Sequence, residues 1–195
     1  MTHALQTLSE TDRRLVAEWA AACATRVLWL FEAEWPDDGR PRAAIARTQA
    51  FARGDMDTAA GIRERFGGGG VRRETMSPAA AAAARSAGQA SAVCHMGAHA
   101  LGAAAYAIKA VGLAASDRPT AAEQEIRWQL LHMTPAVRSA LRSLPPVGED
   151  RSGPLGPGLL ASGQLGIIIR RLQAGLEDVG SSPSAIAPEE GAAGP

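Results

Sequence analysis

Residues 78–113 read PAAAAAARSAGQASAVCHMGAHALGAAAYAIKAVGL, and this alanine-rich stretch decides the fold class. Its composition and apolar spacing predict one long central helix of about 50 Å, in which Gly88 or Gly97 is the expected position of a close crossing or a bend. Successive residues of a helix are rotated by about 100°, so five positions fall within an arc of about 80° on one face. They form a polar stripe of His95, His99, Gly102, Tyr106 and Lys109. Because the opposite face is apolar, we expect the helix either to cross a core with a polar seam or to present a binding surface.

Charge and composition limit the classes of partner. The 195 residues include twenty acidic and twenty basic side chains, so no basic excess favours nucleic-acid binding. No run of about eighteen apolar residues predicts a membrane span. The first fifteen residues lack the apolar core of a signal peptide. We therefore expect a cytoplasmic protein without nucleic-acid or membrane partners, and the oligomeric state stays open.

The first predicted helix covers residues 10–34. Ser9 with Asp12 three residues later resembles a capping box, and the chain must leave the helix before the Trp-Pro pair that follows. Trp19 and Trp29 widen the apolar face, which predicts burial of this helix on more than one side. Cys23 in this helix and Cys94 in the alanine-rich stretch are expected to be buried free thiols.

Caps and prolines delimit the remaining predicted helices, and Gly67–Gly70 interrupts the chain between two of them. We expect helices over about 41–54 and 57–65, then a helix that Asp117, Pro119 and Thr120 start, with Thr120 and Glu123 as a second capping box, and a short one from Thr134 to Leu144. No strand pattern is present. The sequence therefore predicts an all-α fold, a compact bundle of about five to six helices with one long central alanine-rich helix.

The composition changes after residue 146. Residues 147–195 are dominated by Gly, Pro, Ser and Ala, and only 163–176 carries a helical pattern. Such a segment buries too little apolar surface to offset the entropy of ordering it unless it docks. The sequence thus predicts an all-α domain over 1–146 and a mostly disordered C-terminal tail over 147–195.

The two histidines and the Tyr–Lys pair are candidates for metal binding and for catalysis. His95 and His99 at i and i+4 could share a metal, with a third ligand from the acidic residues between 32 and 38. A hydrogen-bonded polar seam explains the same pattern, and Met96 stands where a zinc protease has Glu. Tyr106 and Lys109 could act as acid and nucleophile, or simply pack and pair. We expect no catalytic residues, no cofactor and no bound metal. His95 and His99 are the candidate ligands for the alternative in which a metal is bound.

A charged turn lies between the first two predicted helices. Asp37 and Asp38 meet Arg40 and Arg42 there, and Asp38 is a plausible helix cap. A solvated, capped turn explains this cluster. The alternative is a charged contact edge, which would set the specificity and on-rate of a protein partner.

Several of these motifs together resemble one bacterial family, the immunity proteins of polymorphic toxin systems, in the group that is similar to the fifth immunity class. The likeness covers about residues 10–133 and rests on Phe31-Glu32, Pro36-Asp37-Asp38-Gly39-Arg40-Pro41-Arg42, Phe51-Ala52-Arg53-Gly54, His95-x-x-x-His99, Tyr106, Lys109, Glu125 and Trp128-Gln129. Trp35 departs from the histidine expected before the proline. The resemblance implies an all-α cytoplasmic protein that binds and neutralises a cognate toxin, and it carries over no catalytic residue.

Three hypotheses follow from the sequence. The favoured one is a non-enzymatic immunity protein that occludes its toxin through a preformed surface, with the polar stripe and the charged turn as contact residues. The second is a helical bundle that binds a metal or small ligand through His95 and His99, and it includes an enzyme. The third is a structural domain in which the polar seam fixes the register of the helices.

Overall fold

The computed structural model describes residues 5–58 and 76–177. Within these ranges the chain forms seven α-helices and no strand. They are α1 (Glu10–Glu32), α2 (Arg40–Arg53), α3 (Pro78–Ala92), α4 (His99–Ala114), α5 (Arg118–Leu131), α6 (Pro135–Arg142) and α7 (Gly163–Gly175), with a 3-10 turn at Leu159–Ala161 before α7. The all-α, multi-helix fold is confirmed. The predicted helix beyond residue 58 and the Gly67–Gly70 run lie outside the described residues.

Side-chain caps begin most of these helices where the sequence predicts them. Ser9 Oγ accepts a hydrogen bond from the N–H of Asp12 at 3.1 Å, and Ser77 and Thr134 cap α3 and α6 in the same way. On α5 the cap is Asp117, which accepts from the N–H of Thr120. The helix therefore begins at the predicted Asp117, and Asp117 rather than the Thr120–Glu123 box provides the cap. These caps satisfy N–H groups that have no partner inside a helix.

The single long helix predicted over 78–113 is wrong, because the chain turns between Ala92 and His99. The N–H groups of Gly97 and Ala98 donate to the carbonyls of Thr7 and Gln6, both at 3.0 Å, and so leave the helical ladder. A Cβ at Gly97 would overlap the side chain of Leu8, so only glycine allows this close approach. The result is a hairpin of α3 and α4 in place of one rod.

The hairpin is tight because its facing residues are small. Ser86 Oγ on α3 donates to the carbonyl of Ala103 on α4 at 2.7 Å, which fixes the two helices as antiparallel neighbours. α4 then packs against α1, α3, α5 and α7, and its residues from Ala100 to Ile108 are all buried. This helix lies at the centre of the core, whereas α2 and α6 pack on α1.

α1 shows that apolar residues of one helix have different environments. Trp19 is buried, whereas Trp29 has 62% of its surface exposed. The prediction that both tryptophans widen a buried face is therefore wrong for Trp29. Cys23 and Cys94 are both buried free cysteines, as predicted.

The segment after residue 146 is not a disordered tail over the part that the structure describes. Residues 147–177 pack on the core, and Leu155, Ile169 and Leu172 are fully buried there. Buried Gln6 binds the loop from both sides of its amide: Nε2 donates to the carbonyl of Asp150 at 2.7 Å, and Oε1 accepts from the N–H of Leu155 at 2.9 Å. Packing against the core therefore buries the apolar side chains of this segment, although its glycine- and proline-rich composition does not predict that burial. Residues 178–195 lie outside the described ranges.

Arg138 on α6 ties this segment to the body of the bundle. Its guanidinium donates to the carbonyl of Gly175 at 2.8 Å and to that of Leu130 at 2.9 Å. It thus satisfies carbonyls at the C-terminal ends of α7 and α5 together. In the described ranges no helix combines the length and the apolar character that a bilayer crossing requires.

Candidate functional site

The structure keeps part of the polar stripe together and places it between two helices. His95 lies in the turn before α4, and His99 begins that helix; their ring centroids are 5.1 Å apart at an interplanar angle of 51°. Tyr106 and Lys109 follow along α4. The stripe thus belongs to the α3–α4 hairpin, with partners on α3 that one continuous helix would not have given it.

The α3–α4 seam is hydrogen-bonded. His99 Nδ1 lies 2.8 Å from Gln89 Oε1, so the ring N–H donates to the amide oxygen. Gly102 makes room for this pair, because a Cβ there would overlap Gln89 Oε1. One turn further, the guanidinium of Arg85 lies 6.0 Å from the centroid of the Tyr106 ring. The seam therefore has the partners that a structural role requires.

The seam is poorly arranged for acid–base chemistry. Tyr106 is 3% exposed, and burial raises the pKa of its phenol, while the nearby Arg85 charge opposes part of that rise. Lys109 is half-buried and makes no hydrogen bond or ion pair with any described residue. Burial also raises the pKa of the Cys23 thiol well above its usual value, which leaves it inert as a nucleophile.

Most of the acidic residues considered as a third metal ligand are bound to other groups. Glu32 binds Arg42 through two contacts of 2.8 and 2.6 Å, and Glu34 accepts the N–H of Ser77 at 3.0 Å. Across residues 5–58 and 76–177, no three His, Cys, Asp or Glu side chains come close enough to hold a metal ion. Among the described residues, the metal hypothesis therefore has its two histidines close together but no third ligand beside them.

The charged turn is an ordered corner between α1 and α2. Arg40 binds Asp38 through contacts of 2.8 and 2.6 Å, and the Asp38 side chain is only 8% exposed. Asp38 also accepts the backbone N–H of Arg40. The N-cap residue of α2 is nevertheless Gly39 and not the predicted Asp38. Beside the corner lies a cleft of about 780 Å³, lined among described residues by 34–40. Asp37 is exposed at its rim, so the contact-edge role stays a prediction.

A second polar cluster, centred on Glu125, was not predicted as a site from the sequence. Glu125 on α5 is 3% exposed, and Arg26 on α1 binds both of its oxygens, with Nε–O distances of 3.1 and 3.0 Å. Gln129 Nε2 donates to the same carboxylate at 3.2 Å and to the carbonyl of Ala104 at 3.3 Å. The cluster therefore joins α1, α4 and α5.

Aromatic rings extend this cluster to the surface. The Arg26 guanidinium lies 3.9 Å from the centroid of the Trp128 ring. His132 stacks on Trp128 at 4.0 Å with an interplanar angle of 22°, and its Nδ1 donates to the Trp128 carbonyl at 2.8 Å. Trp128 therefore has a cationic neighbour from α1 and an aromatic neighbour from the end of its own helix.

One signal in the sequence could have found this cluster. Glu125 and Gln129 stand at i and i+4 on a helix whose inward face also holds Ile126. A carboxylate on an inward face needs a cation, and the sequence offers α1 arginines for that role. Arg26 cannot be chosen from spacing, because its partner lies on another helix. His132 stands four residues after Trp128, a spacing that does bring two residues of one helix together.

Comparison with known families identifies the chain. The model of the family described as "Imm-5 like putative immunity protein" matches residues 6–136. The chain belongs to this Imm-5 like family. The match ends inside α6, so the loop and α7 that complete the core of this Imm-5 like protein lie beyond it. No curated protein and no solved structure gives a significant match.

The seam of this Imm-5 like protein yields a prediction about stability. We expect His99→Ala to lower the free energy of unfolding by about 1–2 kcal/mol, because Gln89 loses its hydrogen-bond partner. Gln89→Ala should behave alike, and the double variant should cost about 1 kcal/mol less than the sum of the two. Urea unfolding of the four proteins measures this coupling. Strictly additive losses would show that the Gln89–His99 bond contributes nothing to stability.

Proposed function

We propose that this protein protects the cell that makes it by binding a cognate bacterial toxin and covering the toxin's working surface. The observation that carries this proposal is membership of the Imm-5 like family over residues 6–136. The proposed place of action is the cytoplasm, and the proposed partner is a single protein toxin.

A mechanism without catalysis agrees with the state of the polar groups. The His99 ring is engaged by Gln89, and the Tyr106 phenol is buried under Arg85. The carboxylates of Glu32 and Asp38 are held by arginines. These groups serve the fold of the bundle, so inhibition is proposed to come from shape and from surface contacts.

Occlusion favours a surface that is ordered before binding. A preformed surface loses little conformational entropy on association, so more of the contact energy contributes to affinity. The side-chain caps on four helices, the Gln6 contacts and the Arg138 contacts all hold elements in place without a partner. A rigid helical body of this kind is suited to inhibition by steric block.

The test uses the toxin encoded beside this gene. Co-expression with the protein should restore growth to cells that the toxin arrests. With purified components, toxin activity should fall in proportion to added protein and reach its minimum near one molar equivalent. Loss of toxin activity at a small fraction of an equivalent would indicate catalytic inactivation instead. Growth arrest that the protein does not relieve would reject this pairing.

A further inference from the structure

We propose that the toxin is held on the exposed face shared by α1 and α5, through an acidic segment that also presents an apolar side chain. This face, here called the tryptophan face, consists of Arg26, Trp29, Arg127, Trp128, Leu131 and His132. The inference rests on the proposed function and assigns its contact surface. It departs from the polar stripe and the charged turn, which the sequence favours as contact residues.

Trp29 is the first observation. It lies in α1 with 62% of its surface in water, and its indole donates no hydrogen bond to any described residue. Leaving an indole exposed forgoes much of the free energy that burial would provide. Leu131 on α5 is 74% exposed as well. Trp and Arg are the residue types enriched among the energetic anchors of protein interfaces.

The six residues form one continuous surface. Trp29 lies one turn from Arg26 on α1, and Arg26 contacts the ring of Trp128 across the helices. On α5, Leu131 and His132 lie one turn beyond Trp128, and Arg127 lies one turn before Leu131. By this spacing, the two exposed apolar side chains flank the contacts that Trp128 makes with Arg26 and His132.

Charge indicates the chemistry of the partner. Three carboxylates on the helices that form the tryptophan face are already bound: Glu125 by Arg26, Glu32 by Arg42 and Glu123 by Arg171. Arg127 is exposed and forms no ion pair with any described residue. The face therefore offers uncompensated positive charge in a chain whose net charge is zero. An acidic segment complements it, and such complementarity raises the association rate and selects the partner.

At this face, the residues proposed to bind the toxin are different from the residues that hold the helices together. Glu125 and Gln129 are buried and hold the helices together, whereas Trp29, Arg127 and Leu131 are exposed. Changes at the exposed positions should leave the fold intact. The face therefore has residues whose only expected effect is on the partner.

The experiment measures binding of the full-length protein to the purified toxin encoded beside its gene. Trp29→Ala should raise the dissociation constant at least about 30-fold, as expected for an interface anchor. Arg127→Glu should raise it about tenfold, mainly by slowing association, and the loss should shrink as salt is added. Leu159→Ala and Arg151→Glu are matched controls at exposed positions elsewhere, and they should bind within about twofold of wild type.

The outcomes separate the inference from the proposed function. If the wild-type protein inhibits the toxin while Trp29→Ala and Arg127→Glu bind as tightly as wild type, the tryptophan face is rejected and the proposed function stands. If the wild-type protein does not bind the toxin, the proposed function is rejected and the inference falls with it. A free protein that is dimeric, and that Trp29→Ala makes monomeric, would show instead that a second copy covers this face.

Discussion

Deletion of residues 147–195 should unfold the protein, although the composition of that segment suggests a dispensable tail. The deletion removes eight buried apolar side chains: Val147, Leu155, Leu160, Leu165, Ile168, Ile169, Leu172 and Leu176. Their removal uncovers the apolar surface of the remaining bundle against which they pack, and the remaining helices still bear the entropy cost of their own ordering. We expect a net loss of at least about 5 kcal/mol, comparable with the whole stability of many domains.

The physical reason lies in what the deletion uncovers. α7 packs on α4, the central helix, so its removal exposes apolar surface at the middle of the core. Far-UV circular dichroism and urea unfolding of the 1–146 fragment measure the effect, and binding of a hydrophobic dye reports the exposed core. A fragment that melts cooperatively within a few degrees of wild type would show that the segment is a tail after all.

Two isoleucines of α7 provide a matched control for this prediction. Ile169 is fully buried, whereas Ile167, two residues earlier, is 57% exposed. Ile169→Ala should cost about 2–5 kcal/mol, and Ile167→Ala about 0.5 kcal/mol or less. Equal effects of the two variants would contradict the docking of α7 that the structure shows.

Arg26→Ala should be the most destabilising single substitution of a partly exposed side chain. It leaves the Glu125 carboxylate, 3% exposed, without its cation. Breaking a buried ion pair from one side costs about 3–5 kcal/mol, and we expect the lower end here. Arg26 keeps 39% of its side chain in water, so solvent can reach part of the space that it vacates. Urea unfolding measures the loss.

A second substitution tests whether the unpaired charge is the cause. Glu125→Gln in the Arg26→Ala background removes the buried charge and should restore about 2 kcal/mol. Arg42→Ala breaks the exposed pair with Glu32 and should cost about 1 kcal/mol or less. If Arg26→Ala costs no more than Arg42→Ala, the Glu125 cluster does not hold α1 and α5 together.

Local chemistry made much of the helical framework predictable. Ser9, Ser77 and Thr134 each cap the helix that follows, and Gly54 ends α2 with a φ of 88°, where other residues are strained. These signals act over three or four residues, so they are visible in the sequence itself. The same holds for the charged turn, where Asp38 and Arg40 are two positions apart.

The candidate sites depended on contacts between distant positions. The sequence identifies His99 as a polar residue of interest, but its partner Gln89 becomes visible only when the helix is folded back on itself. Arg26 and Glu125 are 99 positions apart, and no spacing rule connects them. Trp19 and Trp29 are alike as residues of α1, and only neighbouring helices decide that one is buried and the other exposed.

The sequence by itself determined that this protein is all-helical and where most of its helices begin, because caps, prolines and apolar periodicity act locally. Tertiary structure alone decided that the alanine-rich stretch is a hairpin, since the carbonyls of Gln6 and Thr7 take the N–H groups of Gly97 and Ala98. It also decided that residues 147–177 are core, because apolar side chains in a glycine-rich segment become buried only when a complementary surface is present.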